Sequence, residues 1–250
     1  MVPILEIQSL NKSFGGLHVT ANVSFSVMPG ELSAIIGPNG AGKTTLFNQI
    51  TGHLRSDSGR IRFNNQDILG ISPQKIVALG VGRAFQIASI FPDETVLDNV
   101  RIACLSKRGE TGKYLRAVDA FTEATDDARA ILESLGLSDQ TERLAFELAH
   151  GDQKLLDIGI ALALRPNLLL LDEPTAGMSP EERLHTKELI LKLWKEFNLA
   201  LIFIEHDMDM VFGIAQTVRV LQQGALLAEG NPEQIRANKE VITAYLGEDF

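Results

Sequence analysis

A glycine-rich stretch near the beginning of the chain decides the fold, and its sequence is Gly37-Pro38-Asn39-Gly40-Ala41-Gly42-Lys43-Thr44-Thr45. The apolar run Leu32–Ile36 precedes it, and Lys43–Ile50 after it has the pattern of a helix. This order of strand, loop and helix is the context that supports a P-loop. Glycines let backbone N–H groups turn inward around phosphate oxygens, and a helix N-terminus adds partial positive charge. The stretch therefore predicts an α/β protein that binds the phosphates of a nucleotide.

Two side chains at the start of the predicted helix have defined chemistry in this motif. Lys43 is expected to reach the β- and γ-phosphates of ATP, and the Thr44 hydroxyl is expected to ligate Mg²⁺. A glycine-rich turn that matches by chance is the alternative, and the flanking strand and helix argue against it. ATP and Mg²⁺ are therefore the expected cofactors. The other residues expected around the phosphates are Gly37, Pro38, Asn39, Gly40, Ala41, Gly42 and Thr45.

A second apolar run ends in two acids, in the sequence Leu168-Leu169-Leu170-Leu171-Asp172-Glu173. Four consecutive apolar residues are typical of a parallel strand covered on both faces, and α/β sheets place their ligands at the C-terminal ends of strands. Asp172 is expected to support Mg²⁺, directly or through water. Glu173 is expected to polarise the attacking water as a general base, which contributes roughly 10²–10⁴-fold in rate. Alone, the two acids would suit a turn after a core strand, but with the P-loop they predict a hydrolytic site.

The composition limits the class of protein. The chain has 250 residues and a formal net charge of −9, which argues against a general nucleic-acid binder with a basic face. Its one cysteine, Cys104, excludes an internal disulfide and fits a reducing compartment. The first ten residues lack a basic start and include Glu6, unlike a signal peptide, and no apolar run approaches the ~20 residues that span a bilayer. Membrane association is therefore expected only through a partner.

Local patterns predict strands towards both ends of the chain and helices between them. Between about Ser89 and Ala149 the sequence is polar and helical, and Asp119–Leu135 carries apolar residues at helical spacing. A capping box with proline begins another helix at Ser179, which is predicted to end near Phe197. The predicted strands are Ile4–Leu10, Val19–Val27, Leu32–Ile36, Arg60–Phe63, Leu168–Leu171, Leu199–Ile204, Val218–Leu221 and Ala225–Ala228.

Alternation of strands and helices implies a parallel α/β core. We predict the fold class as α/β: a P-loop NTPase parallel-sheet core with an antiparallel β subdomain and an inserted helical subdomain. A single domain is predicted over residues 1–250. Its catalytic core, with the antiparallel β patch, is predicted in 1–88 and 151–230, the helical subdomain in 89–150, and a C-terminal helical tail in 231–250.

Three further motifs follow the P-loop in order. They are Phe85-Gln86, the segment Leu148-Ala149-His150-Gly151-Asp152-Gln153 before a predicted helix, and Glu205-His206-Asp207 after a predicted strand. In this order and spacing the chain resembles the ATP-binding-cassette (ABC) ATPases over nearly its whole length. In that family the three motifs are the Q-loop, the signature motif and the switch-histidine region.

The resemblance implies a role for each motif. Gln86 would contact Mg²⁺ and the attacking water and would sense a membrane subunit, and His206 would contact the γ-phosphate. Phe14 lies upstream of the P-loop, where the family stacks an aromatic ring on adenine. Taken singly, Phe14 suits a core position and His206 an ordinary surface or core histidine, and their order favours the functional roles. The signature residues that would face the ATP of a second cassette are Leu148, Ala149, His150, Gly151, Asp152 and Gln153.

Two positions depart from the family pattern. Ala149 and His150 stand where the signature usually has serine and glycine, and that serine hydroxyl bonds the γ-phosphate of the opposite subunit's ATP. Loss of a hydrogen bond to a charged group costs about 1.5–3 kcal/mol, although Gly151 and the helix N-terminus could still supply N–H donors. We therefore expect a weaker half-site, which suits a transporter with two unequal cassettes. Ser179 stands where many members carry aspartate, so the resemblance does not specify how this loop would communicate across the dimer.

Three short runs resemble one subgroup of the family, namely Gly80–Gln86, Ala176–Glu181 and Ala244–Glu248. This subgroup contains the ATPase subunits of importers for branched-chain and other hydrophobic amino acids. Urea and short-chain amide importers share these features, a lipid or lipopolysaccharide exporter ATPase can have a similar short chain, and a soluble ABC-type assembly ATPase is a further alternative. The chain lacks the sustained heptads of a DNA-maintenance ATPase and the second P-loop of a translation factor.

The resemblance also implies partners. These are a second ABC ATPase subunit, in a homodimer or heterodimer, integral membrane permease subunits and, indirectly, a periplasmic or extracellular substrate-binding protein, but no nucleic acid. The segment Ile87–Val100, including Ile90 and Phe91, is expected to contact the permease. The implied location is peripheral, at the cytoplasmic face of the inner or cell membrane.

Overall fold

The computed structural model describes residues 2–85, 88–109 and 122–246. Two short 3₁₀ turns, Ser138–Gln140 and Ala145–Glu147, and a π turn, Ile242–Leu246, accompany the longer elements. The strands are β1 Leu5–Phe14, β2 Leu17–Val27, β3 Leu32–Ile36, β4 Ser58–Phe63, β5 Gln66–Asp67, β6 Val81–Ala84, β7 Leu168–Asp172, β8 Ala200–Ile204, β9 Thr217–Gln222 and β10 Ala225–Gly230. The helices are α1 Lys43–Ile50, α2 Pro73–Leu79, α3 Val96–Lys107, α4 Thr122–Ser134, α5 His150–Ala163, α6 Pro180–Glu196, α7 Met208–Ile214, α8 Pro232–Arg236 and α9 Lys239–Val241.

The larger sheet has six strands in the order β10-β9-β3-β8-β7-β6. All neighbours are parallel except β10 and β9, which form the predicted terminal hairpin. Every residue of β3, β7 and β8 is buried, as their continuous apolar runs predict for strands covered on both faces. Parallel pairing brings Ile36, Asp172 and Ile204 to the same edge of the sheet, where the P-loop and the acidic pair emerge.

The smaller sheet has four antiparallel strands in the order β2-β1-β4-β5. Gly15 and Gly16 form the predicted turn between its first two strands, and Gly15 has a positive φ of 58°. The strand β1 runs on to Phe14, beyond its predicted end at Leu10, because its second half pairs with β2 through Phe14 and Leu17. Phe14 therefore lies at the end of a strand rather than in a loop.

Two hydrophobic cores lie on opposite faces of the larger sheet. Alternate residues of a strand point to opposite faces, so β7 gives Leu169 and Leu171 to one core and Leu168 and Leu170 to the other. The first core includes the helices α3, α4, α5 and α6, and the second includes α1 and the smaller sheet. The α/β fold class with an antiparallel β sheet and added helices is confirmed.

Three helices pack together on one side of the molecule. The described part of the predicted helix Asp119–Leu135 is α4, and its first residues, 119–121, lie outside the described residues. Helix α5 packs closely on its neighbours at Gly159, where an added Cβ would lie 2.7 Å from Leu135 Cδ1 and 3.6 Å from Val100 Cγ2. The predicted boundary at residue 150 places α5 in the catalytic core, although α5 packs on α3 and α4. The division of the chain into subdomains stays a prediction.

Candidate functional site

The P-loop connects β3 to α1 and lies directly against two other strands. Gly42 has a φ of +99°, and a Cβ there would lie 2.2 Å from the Val19 carbonyl oxygen. At Gly37 a Cβ would lie 2.1 Å from the Leu221 carbonyl oxygen. Any larger side chain would collide with backbone at both positions. The glycines are therefore needed to seat the loop as well as to turn its N–H groups inward.

Lys43 begins α1 and is held by the loop that precedes it. Its ammonium donates hydrogen bonds to the carbonyl oxygens of Gly37, at 2.6 Å, and Pro38, at 3.0 Å. Burial lowers the pKa of Lys43, and the nearby charges of Glu173 and Asp172 act in the opposite direction. The lysine thus links both ends of the loop and lies near the two acids at the C-terminal end of β7.

The loop borders an open cavity of about 180 Å³. The cavity brings together the P-loop, one of the two predicted acids and the predicted histidine. Among the described residues, none of the signature segment 148–153 lines it. The lining residues are Val19, Asn39, Gly40, Ala41, Gly42, Lys43, Thr44, Thr45, Glu173 and His206.

Asp172 is buried at the C-terminal end of β7 and is paired with an arginine. Its Oδ2 accepts a hydrogen bond of 2.8 Å from Arg83, which also donates to Asn48 Oδ1 of α1 at 2.6 Å. Burial raises the pKa of Asp172, while the Arg83 hydrogen bond and charge lower it. The other carboxylate oxygen, Oδ1, is buried without a hydrogen-bond partner among the described residues. One acceptor atom of Asp172 is therefore available for a cation or a bound water.

Glu173 is held in an uncommon backbone conformation. Its φ is +51°, a left-handed value that costs a non-glycine residue about 1–3 kcal/mol. Its N–H donates to the Ile204 carbonyl oxygen at 3.0 Å, and its Oε1 lies 3.1 Å from His206 Nε2. In this conformation the carboxylate lies next to the histidine. The structure thus places Glu173 and His206 in contact on the same side of the cavity.

The signature segment forms the beginning of α5. Ala149 is the N-cap residue, is exposed and has no side-chain capping bond, while Leu148 is buried beneath it. The His150 ring is exposed and lies against Gly177, with its Cδ2 3.5 Å from the position of an added Cβ. His150 therefore lies beside the loop that follows Glu173. Asp152 accepts a hydrogen bond of 3.0 Å from Gln140, and Gln153 donates to the Leu148 carbonyl oxygen at 3.2 Å.

Comparison with known proteins decides the family. A family model described as "ABC transporter" matches residues 20–176, which is more than half of the chain. The chain belongs to the ABC transporter family. A second model, described as "Branched-chain amino acid ATP-binding cassette transporter", matches residues 225–250.

Curated relatives and solved structures agree with this family. The chain is 41% identical over 252 residues to the "High-affinity branched-chain amino acid transport ATP-binding protein LivG" of Escherichia coli K12, with 98% of each chain covered. It is also 41% identical to BraF of Pseudomonas aeruginosa, a protein with the same description, again over 98% of each chain. The ADP conformation of MJ1267, an ATP-binding cassette of an ABC transporter, superimposes with a TM-score of 0.86 at 32% identity, covering 99% of this chain and 100% of that one.

The family determines the general activity of this cassette. It is an ATP-hydrolysing transporter subunit, and such subunits act in complexes with membrane permeases. Over the described parts of the chain, no helix combines the length and the apolar character needed to cross a bilayer. The cassette is a transporter-associated subunit.

Of the residues predicted to bind nucleotide or metal, four described ones do not line the cavity, namely Phe14, Gly37, Pro38 and Asp172. Phe14 is 52% exposed at the end of β1, and the Lys12 ammonium lies 5.4 Å from its ring centroid. The ring is therefore not a core residue, and its open face is available for stacking. Gln86 lies outside the described residues. On either side of it, the N–H groups of Phe85 and Ser89 donate to the buried carboxylate of Asp157 on α5, at 2.7 and 3.1 Å.

Sequence reasoning assigned no role to several buried polar residues that hold this cassette's site together. Glu205 Oε1 accepts from the backbone N–H and the hydroxyl of Thr175, at 2.8 and 2.6 Å, and its Oε2 accepts from the His206 N–H at 3.0 Å. Burial also raises the pKa of Asp157 to about 6. Arg83 and Lys154 complete this set. The available signal was a charged residue inside an otherwise apolar helix or strand, since such groups are rarely buried without a partner.

Proposed function

We propose that Glu173 is the general base for ATP hydrolysis and that Lys43 and His206 bind the phosphates. The observation that supports this most directly is that all three side chains line one cavity with the P-loop. Lys43 would exchange its bonds to the loop carbonyls for bonds to the β- and γ-phosphates. Glu173 would accept a proton from the attacking water, and its contact with His206 would orient the carboxylate.

Mg²⁺ fits the residues at this edge of the sheet. Thr44 and Asp172 are its proposed ligands, with Gln86 as a third, and Asp172 Oδ1 is a buried oxygen without another described partner. Mg²⁺ is usually bound by one or two protein groups together with phosphates and waters. When bound, the ion would neutralise the negative charge that develops during phosphoryl transfer. Arg83 would hold the Asp172 carboxylate in place from the opposite side.

A second cassette would complete the site. The cavity lacks the signature segment, while Ala149 and His150 are exposed at the start of α5. Two cassettes placed head to tail would each hold ATP between one P-loop and the opposite signature segment. Phe14 would stack on the adenine. The ATP charge would favour the closed dimer because the facing helix N-terminus meets that anion only there, and hydrolysis would remove this difference in affinity.

The permease would dock on the helical side of the cassette, at the cytoplasmic face of the membrane. Phe91 is 51% exposed and Phe146 is 55% exposed, and a hydrogen bond of 3.1 Å from the Phe146 N–H to the Pro92 carbonyl holds the two segments together. Exposed apolar patches of this kind mark interaction surfaces. Ile90, in contrast, packs against the hydrophobic core. Of the two apolar residues predicted for docking, Phe91 is therefore the better candidate.

The proposed cargo is a branched-chain or other hydrophobic amino acid, imported with the help of a substrate-binding protein. The relatives LivG and BraF are described as branched-chain amino acid transport proteins, and they match nearly the whole chain. The match of residues 225–250 to the branched-chain cassette model also supports this cargo.

The test uses the complete transporter reconstituted in vesicles with its permeases and binding protein. Wild-type complex is expected to take up leucine with ATP, whereas Glu173→Gln should bind ATP and lose uptake and hydrolysis by about 10²–10⁴-fold, because glutamine cannot act as the base. Glu188→Gln, on the exposed face of α6, is the matched control and should behave as wild type. Uptake of urea or an amide instead of leucine would overturn the cargo proposal, and wild-type hydrolysis by Glu173→Gln would overturn the assignment of the base.

A further inference from the structure

A buried lysine on α5 lies between the signature segment and the catalytic acids. Lys154 is only 4% exposed, one helical turn after Gly151. Its ammonium donates hydrogen bonds to the main-chain carbonyl oxygens of Glu173, at 2.9 Å, and Ala176, at 2.8 Å. Burial lowers the pKa of Lys154, while the nearby charges of Glu205, Glu173 and Asp172 raise it. A charged group is thus buried in order to bind the backbone of the loop that carries Glu173.

The bond to Glu173 fixes a backbone that is otherwise unfavourable. A positive φ at a non-glycine residue persists only where its surroundings hold it. The Glu173 N–H is held by Ile204, and its carbonyl oxygen accepts from Lys154 and from the Ala176 N–H, the latter at 3.2 Å. Between these two ends lies the carboxylate that contacts His206. The direction of the carboxylate therefore depends on the position of the Lys154 ammonium.

Helix α5 also connects this ammonium to the signature segment. The first turn of α5 contains His150 and Gly151, and His150 lies against Gly177 of the same loop. The helix is packed tightly against α3 and α4 at Gly159, in its third turn, beyond Lys154. A shift of the start of α5 would carry Lys154 with it and would move the carbonyl of Glu173.

We propose that Lys154 is a positioning residue for hydrolysis, which sets the Glu173 carboxylate and couples it to the signature end of α5. This inference rests on the proposed role of Glu173 as the base. Lys154 does not touch the substrate in this arrangement, because it acts through the Glu173 backbone. Its contribution is therefore confined to the rate of the chemical step, and ATP affinity does not depend on it.

The first test compares three substitutions in the assembled transporter. Lys154→Met removes both donors, and kcat is expected to fall roughly 10–100-fold with KM for ATP unchanged, since small misplacements of a catalytic group cost up to about 10²-fold. Lys154→Arg keeps a charged donor and should recover much of the rate, and Lys154→Gln should be intermediate. Lys192→Met is the matched control, because Lys192 also donates to a main-chain carbonyl, that of Ser134, at 3.1 Å. Its kcat should stay at the wild-type value.

A double-mutant cycle separates positioning from general damage to the fold. If Lys154 acts through Glu173, adding Lys154→Met to Glu173→Gln should leave the residual rate unchanged, because the base is already absent. Multiplied losses in the double variant, or a parallel rise in KM, would overturn the proposal. If Lys154→Met does not fold, the same cycle is measured with Lys154→Gln. If the Lys154 variants turn over normally while Glu173→Gln is inactive, the positioning role is rejected and the proposed base stands. If Glu173→Gln is active, the proposed base itself is rejected.

Discussion

Helices α5 and α6 both begin beside the loop that follows Glu173, yet they begin in opposite ways. At α6 the Ser179 hydroxyl accepts from the Glu182 N–H at 3.3 Å, and the Glu182 carboxylate accepts from the Ser179 N–H at 2.7 Å. This capping box, with Pro180 at the first position, lowers the pKa of Glu182. At α5 the N-cap is Ala149, which supplies no side-chain acceptor. The start of α6 is therefore capped by side chains of the protein itself, whereas the start of α5 has no side-chain cap.

The difference separates a structural helix start from one suited to a ligand. The first N–H groups of a helix have no intrahelical partner, and a side-chain cap that uses them competes with an external anion. Helix α1, which follows the P-loop, resembles α5 in this respect, because its N-cap is Gly42 and no side chain caps it. The two helix starts assigned to phosphate, those of α1 and α5, are therefore both open, which means that no side chain caps them. The capped start of α6 is closed and serves as an internal reference.

The largest expected effect comes from removing the charge at the open start of α1. Lys43→Ala should abolish hydrolysis and weaken nucleotide binding, because the phosphates lose their point charge. ATPase rates and nucleotide binding of the assembled transporter measure the effect. Lys75→Ala, an exposed lysine of α2, is the control and should be unaffected. Normal turnover of Lys43→Ala would show that α1 does not hold the phosphates.

An intermediate effect is expected from adding a hydrogen-bond donor to phosphate at the start of α5. Ala149→Ser restores a hydroxyl at the signature position, and a new bond to the γ-phosphate is worth at most about 1.5–3 kcal/mol. The gain should be smaller, because Gly151 and the helix N-terminus already provide N–H donors. We expect a longer-lived closed dimer and a lower apparent KM for ATP. Dimer lifetime is measured in a Glu173→Gln background, which separates binding from hydrolysis.

The control for this substitution is Ala130→Ser, on the exposed face of α4. His150, next to the substituted position, is exposed and lies against Gly177. An unchanged lifetime would mean that position 149 does not face the γ-phosphate or that its oxygen is already fully paired.

The smallest effect is expected from opening the closed start of α6. Ser179→Ala should lower the free energy of unfolding by about 1 kcal/mol, the usual cost of losing an N-cap, and should leave the hydrolysis rate unchanged. Thermal unfolding of the purified cassette measures it. Ser106→Ala, an exposed serine of α3, should change stability by less than about 0.5 kcal/mol. A large loss of activity without a loss of stability would show that α6 begins at a functional site as well.

Local sequence patterns were sufficient to predict the frame of the site. The P-loop, the buried strand before Asp172 and the histidine after β8 depend on residues adjacent in sequence, and the structure places them along one edge of the sheet. The capping box at Ser179 was predicted for the same reason and is confirmed. The roles of the site residues in catalysis stay predictions.

Long-range contacts explain what the sequence did not reveal. The strand β6 has only four residues, including a glycine and Arg83, and its strand conformation comes from pairing with β7. Lys154 and Asp157 interrupt the apolar face of α5, but their partners lie on loops that are distant in sequence. Pattern analysis shows that such charges are unusual, and only the tertiary structure shows which backbone groups they bind.

The hydrogen bonds of Lys43 to its own loop preorganise its ammonium for binding phosphate. The fold itself withdraws this ammonium from water and aligns it against the carbonyls of Gly37 and Pro38. Most of the desolvation of the charge therefore belongs to folding, and little of it has to accompany the arrival of a triphosphate. Burial of the ammonium lowers the stability of the domain, and in return the desolvation cost of binding the phosphates is smaller.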